Sequence, residues 1–524
     1  MLIHLDSRSL LLRTSRPQMV SDLLPGLTRE VDYQGHNLAV AHRMDTTWVM
    51  RNLGIEAPSP ILHYYDWPKL RGEFSPMVHQ MATAEFCTLH RKGFVLNQMG
   101  TGKTASAIWA ADYLIREGYI KKVLVITPLS TVELVWAREI VSVTPHNSRV
   151  VLTGTKVNRL KKLDGGARFD IINYDGVEVI ADALVQAKYD LVIVDEASAY
   201  TNGRTTRYKV LKALLAHNPM LWLLTGTPCA QAPTQAFALA QLVNPKLVPK
   251  SFTQWRQETM VKVSDYKWVP RHDAAAKVYA ALQPAILVRK EDCIDLPPLT
   301  TIYSQCELSD EQTKALKLML NKGKSELRAG EVTAVNAADR MNKLRQIMCG
   351  SVKDMELGDD AYQELDYNPR FSVLLENIER AEGKVIIIVP FKGILRSLTA
   401  RLNKHFENDG KHFGMLNGDV TDRVSVVDDF KDNPDCMGLI CHPKVMSHGL
   451  TLTEADVMIF YAPIDSAEQY LQVVERINRP GQKRRMTVIR MCAHHIEQRR
   501  YENLDANADQ QASVFDLFIE AVND

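Results

Sequence analysis

The stretch Gly93-Phe94-Val95-Leu96-Asn97-Gln98-Met99-Gly100-Thr101-Gly102-Lys103-Thr104 constrains this chain more than any other. It reads as a short apolar strand, a glycine-bearing turn, and a Lys-Thr pair that opens a helix. Such a turn aims several backbone N–H groups and a helix N-terminus at one anion. Gly100, Thr101 and Gly102 would form the cradle, Lys103 would reach the terminal phosphates, and the Thr104 hydroxyl would sit on Mg²⁺. The strict pattern has glycine where Asn97 stands, and a glycine-rich turn capping a buried helix, Ala105 to Leu114, is the plain alternative. The strand before and the helix after favour phosphate.

A chain of 524 residues exceeds one core and should divide into two to four domains. Lys and Arg number 63 against 62 Asp and Glu, so no global basic character announces nucleic acid; any such groove must come from local clustering. The eight cysteines are scattered without a C-x-x-C pair, which points to buried thiols in a reducing compartment rather than a zinc site. No apolar run is long enough to span a bilayer, and the first residues are broken by polar ones, so no membrane partner is expected and a cytoplasmic location is.

From about 71 to 295, apolar runs alternate with helical patterns: Phe94–Leu96, Val123–Thr127, Val150–Leu152, Asp170–Asn173, Leu191–Val194 and Leu221–Leu224. Continuous apolar strands alternating with helices argue an α/β fold with parallel sheets flanked by helices. Asp295-Leu296-Pro297-Pro298 marks a boundary, after which residues 296–524 repeat the plan. There a charged helical insertion at about 309–348 precedes strands at Lys384–Val389, His412–Leu416, Gly438–Cys441, Val457–Tyr461 and Thr487–Met491. Residues 1–70 read as a small α+β accessory domain, with strands Leu10–Arg13 and Asn37–Ala41 and helices Gln18–Leu24 and Thr46–Leu53.

Val192-Ile193-Val194-Asp195-Glu196-Ala197-Ser198 is a buried strand ending in two carboxylates. Ligands of open α/β sheets bind at the carboxyl ends of strands. Asp195 would hold Mg²⁺ through water, and Glu196 would orient or deprotonate the attacking water. Leu224-Thr225-Gly226-Thr227-Pro228 ends the next strand.

In this order the motifs resemble those of the Swi/Snf-type ATPases of helicase superfamily two. Asn97–Thr104 is similar to the family's first signature, Val125-Ile126-Thr127-Pro128-Leu129-Ser130 with Trp136 to the next, and Asn173-Tyr174-Asp175 to a third. Val288-Arg289-Lys290, Leu344-Arg345-Gln346-Ile347 and Leu416-Asn417-Gly418-Asp419 with Arg423 and Phe430 continue the series. Gln472-Val473-Val474-Glu475-Arg476-Ile477-Asn478-Arg479-Pro480-Gly481-Gln482 matches every fixed position of the closing pattern. The resemblance covers about residues 74–500. Two departures stand out: Ser198 replaces the histidine of the usual Asp-Glu-Ala-His, and His442-Pro443 followed by Ser447-His448-Gly449 resembles short bacteriophage forms.

The resemblance implies two tandem RecA-like lobes and a DNA-dependent ATPase using ATP and Mg²⁺. It makes Gln80, with His79 and Phe74, the reader of adenine. It makes Gln472, Arg476 and Arg479 catalytic with Lys103, Asp195 and Glu196, the two arginines reaching the γ-phosphate when the lobes close. Thr127, Ser130, Asn173, Lys392, Asn417, Lys444 and Thr451 become the candidate nucleic-acid contacts, mostly to phosphates. Basic clusters at Arg159–Lys162, Arg204–Lys209 and Lys483–Arg485 are added candidates. The accessory domain loosely resembles the substrate-reading domain of annealing helicases. The expected function is an ATP-dependent, monomeric translocase on double-stranded DNA that remodels branched DNA in phage or bacterial replication, recombination or repair, in the host cytoplasm if phage-encoded. The alternative is a motor that displaces proteins such as RNA polymerase from DNA, with replication, recombination or transcription proteins as partners.

Overall fold

The computed structural model describes residues 2–4, 7–69, 75–226, 229, 232–264, 268–293, 295–328, 334–353, 362–420, 422–446 and 450–506. They fall into two compact units that divide between residues 293 and 295.

The first unit opens with an antiparallel sheet of β1 (Leu2–His4), β2 (Ser9–Leu12), β3 (Thr28–Tyr33) and β4 (His36–Ala41), in the order β1-β2-β4-β3. Leu10, Leu12, Leu38 and Val40 alternate onto one face and pack with Val20 and Met50 from the helices Pro17–Leu23 and Met44–Asn52, and with Leu24 just after the first of them. β3 is the strand that apolar periodicity misses: Thr28-Arg29-Glu30-Val31-Asp32-Tyr33 is largely exposed and charged, and is held by pairing with β4.

The main sheet of this unit comprises β5 (Lys92–Val95), β6 (Val123–Thr127), β7 (Arg149–Val151), β8 (Phe169–Asn173), β9 (Leu191–Asp195), β10 (Met220–Leu224) and, beyond the hairpin of β11 (Met260–Lys262) and β12 (Trp268–Pro270), β13 (Ala285–Ile286). Its order is β13-β5-β10-β9-β6-β8-β7, with parallel pairing throughout. β6, β8, β9 and β10 are buried at every position, as their unbroken apolar sequence requires of strands covered on both faces. Register sets Leu224 beside Val95 and Asp195, and Thr127 beside Asn173. The motif residues therefore gather at the carboxyl edge of one sheet.

The second unit carries β14 (Leu299–Gln305), a small hairpin of β15 (Ser351–Lys353) and β16 (Tyr362–Glu364), then β17 (Lys384–Ile388), β18 (His412–Leu416), β19 (Cys436–Cys441), β20 (Ala455–Phe460) and β21 (Met486–Cys492). Its parallel sheet has the order β14-β21-β20-β17-β19-β18. The helical insertion forms two helices, Asp310–Arg328 and Ala334–Cys349. The architecture is thus two tandem RecA-like α/β lobes, with the antiparallel sheet belonging to the first. Arg370 and Glu497 form a fully buried ion pair inside the second, and Arg370 also donates to the Tyr461 carbonyl at 3.0 Å.

Candidate nucleoside triphosphate site

The loop from β5 to the helix Lys103–Arg116 turns on Gly100 and Gly102, both at φ +81°, a region that disfavours any side chain. A Cβ on Gly102 would also meet the Gln80 amide nitrogen at 2.1 Å, so a side chain there would push the Gln80 amide away from the loop. Lys103 is the first helical residue, and its ammonium donates to the carbonyls of Asn97 (2.8 Å) and Gln98 (3.2 Å). Thr104 follows, partly exposed, and Thr101 is buried with its hydroxyl donating to the Gln98 carbonyl at 2.8 Å. Asn97 is a brace: its amide donates to Thr83 at 2.8 Å.

Gln80 lies on the helix Val78–Leu89 against this loop. Its amide oxygen accepts from the Met77 N–H (3.0 Å) and its NH₂ donates to the Thr101 carbonyl (3.3 Å), leaving one lone pair and one N–H for a base edge. His79 donates to the same carbonyl at 2.9 Å, and burial pushes its imidazole pKa down.

Asp195 ends β9 in a buried position. One of its oxygens accepts from the Trp136 indole (2.9 Å) and the Thr127 hydroxyl (3.1 Å), the other from the Glu196 N–H (3.1 Å). Burial, and then the neighbouring Glu196 charge, push the Asp195 carboxyl upward, while Trp136, Lys103 and Thr127 pull it back. Glu196 sits at φ +47°, a left-handed conformation that costs a non-glycine residue roughly 1–3 kcal/mol. The Tyr174 hydroxyl holds that turn through the carbonyls of Asp195 (2.6 Å) and Glu196 (3.1 Å). Glu196 Oε2 is buried and has no partner among the described residues.

Two adjacent carboxylates, a lysine within electrostatic reach, a glycine cradle and an unsatisfied buried carboxylate oxygen fit a Mg²⁺–triphosphate. Thr104 and Asp195 would hold the ion, which would neutralise phosphate charge. Glu196 Oε2 is the acceptor left for a water proton.

Three of the expected nucleic-acid contacts are buried side chains. Thr127 is fully buried and spends its hydroxyl on Asp195 and Thr131, so it supports the acid instead of facing a ligand. Asn173 is buried and accepts from Arg159 (3.3 Å). Asn417 is fully buried; its amide oxygen accepts from the N–H groups of Asp419 (2.8 Å) and Val420 (3.2 Å), which closes its own turn, and its amide nitrogen has no partner among the described residues. Ser130 is partly exposed beside Leu129, which is 58% exposed. In the second unit Lys444 is exposed, Lys392 is partly exposed and paired with Asp419 (2.7 Å), and Thr451 accepts from Arg479 (2.9 Å). Phe74, Thr227, Pro228 and Ser447–Gly449 lie outside the described residues.

Gln472, Arg476 and Arg479 lie on and just after the helix Ala467–Val474. Arg476 is 1% exposed and donates to the carbonyls of Gln472 (2.8 Å) and Leu450 (3.2 Å). Arg479 is partly exposed and donates to the Glu475 carbonyl at 3.1 Å. Both arginines thus fold back onto carbonyls left over at the end of a helix. Trp136 and Tyr174 as partners of the acidic turn escape a reading of motifs; the signal that could have found them is that a buried indole N–H or phenol must meet an acceptor.

Residues 33–352 match the family model described as the SNF2-related domain, and residues 369–481 the helicase conserved C-terminal domain. The chain is 24% identical over 435 residues to the ISWI chromatin-remodeling complex ATPase ISW1 of Saccharomyces cerevisiae, covering 77% of this chain and 37% of the relative. It is 25% identical over 447 residues to the ATP-dependent DNA helicase DDM1 of Arabidopsis thaliana, covering 78% and 57%. The chain therefore spans well under two thirds of these relatives. A solved Sulfolobus solfataricus SWI2/SNF2 ATPase core in complex with dsDNA aligns over 80% of this chain and 87% of that chain, at 20% identity and a TM-score of 0.40.

Proposed function

This chain belongs to the SNF2-related family, and from that premise we propose that it is a DNA-dependent ATPase that translocates on double-stranded DNA. The observation that carries the reading is the meeting of the Gly100–Thr104 cradle, Lys103 and the Asp195–Glu196 turn at one sheet edge, with a carboxylate oxygen of Glu196 unsatisfied. Gln80 reads adenine with its remaining N–H and lone pair. Lys103 neutralises the terminal phosphates, Glu196 orients the attacking water, and Thr104 and Asp195 hold Mg²⁺. Arg476 and Arg479 carry the charge-stabilising role that the resemblance implies, worth roughly 10³–10⁵ in rate in phosphoryl-transfer enzymes.

The finer reading is remodelling of branched DNA by a monomer in phage or bacterial replication, recombination or repair, in the cytoplasm. Its support is the separate antiparallel sheet before the motor, together with the resemblance of His442-Pro443 to short bacteriophage forms. Exposed Lys444 and partly exposed Lys392 supply phosphate contacts.

The test is ATP turnover with duplex, single strand, fork and RNA at several salt concentrations, for the wild type and Lys103→Ala. Turnover stimulated by duplex, weakening steeply with salt and lost in the variant, is expected. Equal rates in the two proteins with DNA present would sink the motor. Unchanged discrimination between fork and linear duplex after deletion of residues 1–70 would sink the branched-DNA role alone.

A further inference from the structure

Three side chains outside the acidic pair converge on it, and all three come from segments that lead to the surface. Trp136 and Thr127 share one oxygen of Asp195, and Tyr174 bonds the carbonyls of Asp195 and Glu196. Thr127 is followed by the turn 128–131, whose Leu129 is exposed and Ser130 partly so. Tyr174 is followed by Asp175, whose side chain is 85% exposed. We propose that Trp136, Thr127 and Tyr174 are positioning residues that transmit duplex occupancy of the 128–131 turn and the Asp175 corner to Asp195 and Glu196. The proposal rests on the DNA-dependent ATPase reading and names the route by which DNA would act on the chemistry.

The turn and the acid share one hydrogen-bond chain. Thr131 lies 2.5 Å from the Thr127 hydroxyl and 2.8 Å from the Pro128 carbonyl, oxygen to oxygen. A hydroxyl has one proton, so Thr131 donates either to Thr127 or to Pro128. In the first arrangement Thr127 is free to give its own proton to Asp195; in the second the turn is tightened instead. A contact that shifts the turn selects between them. Trp136 is anchored to the same residue: the N–H groups of Val135 (3.1 Å) and Trp136 (3.0 Å) both meet the Thr131 carbonyl. These bonds open the π-helical segment Val132–Ala137, a rare conformation concentrated at functional sites. Thr131 thus governs both side-chain donors on Asp195, while Tyr174 holds the left-handed Glu196 through its carbonyl.

The experiment compares Trp136→Phe, Thr127→Val, Thr127→Ser and Tyr174→Phe with the wild type. Loss of a hydrogen bond to a charged group predicts a fall of about 10–100-fold in kcat at saturating duplex for Trp136→Phe and Thr127→Val. KM for ATP and nucleotide-free duplex affinity, measured by fluorescence anisotropy, stay at wild-type values, and Thr127→Ser recovers the rate. Tyr174→Phe lowers kcat in the same way. A readout independent of turnover is fluorine NMR of fluorotryptophan-labelled protein, with the Trp136 resonance identified by its loss in Trp136→Phe; duplex without nucleotide should shift it. Wild-type stimulation in Trp136→Phe, or a resonance unmoved by saturating duplex, overturns the proposal. If Trp136→Phe fails to fold, equal kcat in Thr127→Val and Thr127→Ser overturns it. If the wild type turns over no ATP with any DNA, the ATPase reading fails and the fluorine resonance alone decides the coupling.

Discussion

Arg476 and Arg479 stand three residues apart in one motif, yet they should respond differently to truncation. Arg476 is buried, caps the Gln472 carbonyl at 2.8 Å and reaches the Leu450 carbonyl at 3.2 Å. The Leu452 N–H in turn meets the Arg476 carbonyl at 3.0 Å. Arg476→Ala strips a charged donor from two carbonyls in the interior, where each such bond is worth roughly 1.5–3 kcal/mol, so about 3–5 kcal/mol of local stability is at stake. Arg479 is partly exposed, its bonds compete with water, and Arg479→Ala should cost about 1 kcal/mol or less. Hydrogen exchange read by mass spectrometry on peptides covering 450–482 separates the two. Arg476→Ala should lower protection by roughly 100-fold or more and Arg479→Ala by under about tenfold, while both abolish DNA-stimulated ATP turnover. Near-native protection in Arg476→Ala, or a loss in Arg479→Ala as large, would refute the assignment of Arg476 as a brace and Arg479 as the more available charge.

Three further outcomes follow from single sites. Lys103→Ala should abolish ATP turnover while duplex affinity without nucleotide, measured by anisotropy, stays near wild type, because the residue lies on the nucleotide loop and not on the exposed turns. Glu497→Ala strands the Arg370 guanidinium in the interior and should cost about 3–5 kcal/mol, whereas Arg370→Met with Glu497→Leu should cost far less; urea unfolding measures both. Burial, with the Arg51 charge adding to it, pushes the His90 imidazole down to about 4. Its folded pKa lies below the unfolded value of ~6.5, so the stability it contributes is fully present above that value and is lost as pH falls toward 4. Between about pH 7 and about pH 5 the loss is about 2 kcal/mol, and His90→Leu should remove that part of the acid sensitivity in urea midpoints.

The central strands were legible because burial on both faces leaves an unbroken apolar run: β6 has the expected ends, and β9 and β10 differ by one residue. β18, half-buried at the edge of its sheet, also has the expected ends. β13 was not, because two residues held by pairing to β5 carry no pattern of their own. β14 was hidden by its exposure, since an edge strand with side chains in water reads as a loop. Within the site, the cradle glycines and the acidic pair were legible because their chemistry is local to consecutive residues. The burial of Thr127, Asn173 and Asn417 was not legible, because a polar side chain at a strand end has two destinations, and the one-dimensional pattern is identical for both.

The choice between those destinations follows from the acid beside them. A buried carboxylate must be met by donors, or it costs the fold its full desolvation. Asp195 ends a strand whose neighbour β6 stops at the same level, at Thr127, each one residue beyond the Val194–Ile126 pair. The nearest hydroxyl is therefore drawn to Asp195 whatever ligand lies beyond. The Trp136 indole, which has one N–H and no other use inside a core, is drawn there for the same reason. Once two donors from the 127–136 segment are tied to the acid, that segment cannot move without disturbing it. The need to satisfy one buried carboxylate is thus enough to link an exposed turn to the chemistry, and removing either donor should loosen both ends of the link together.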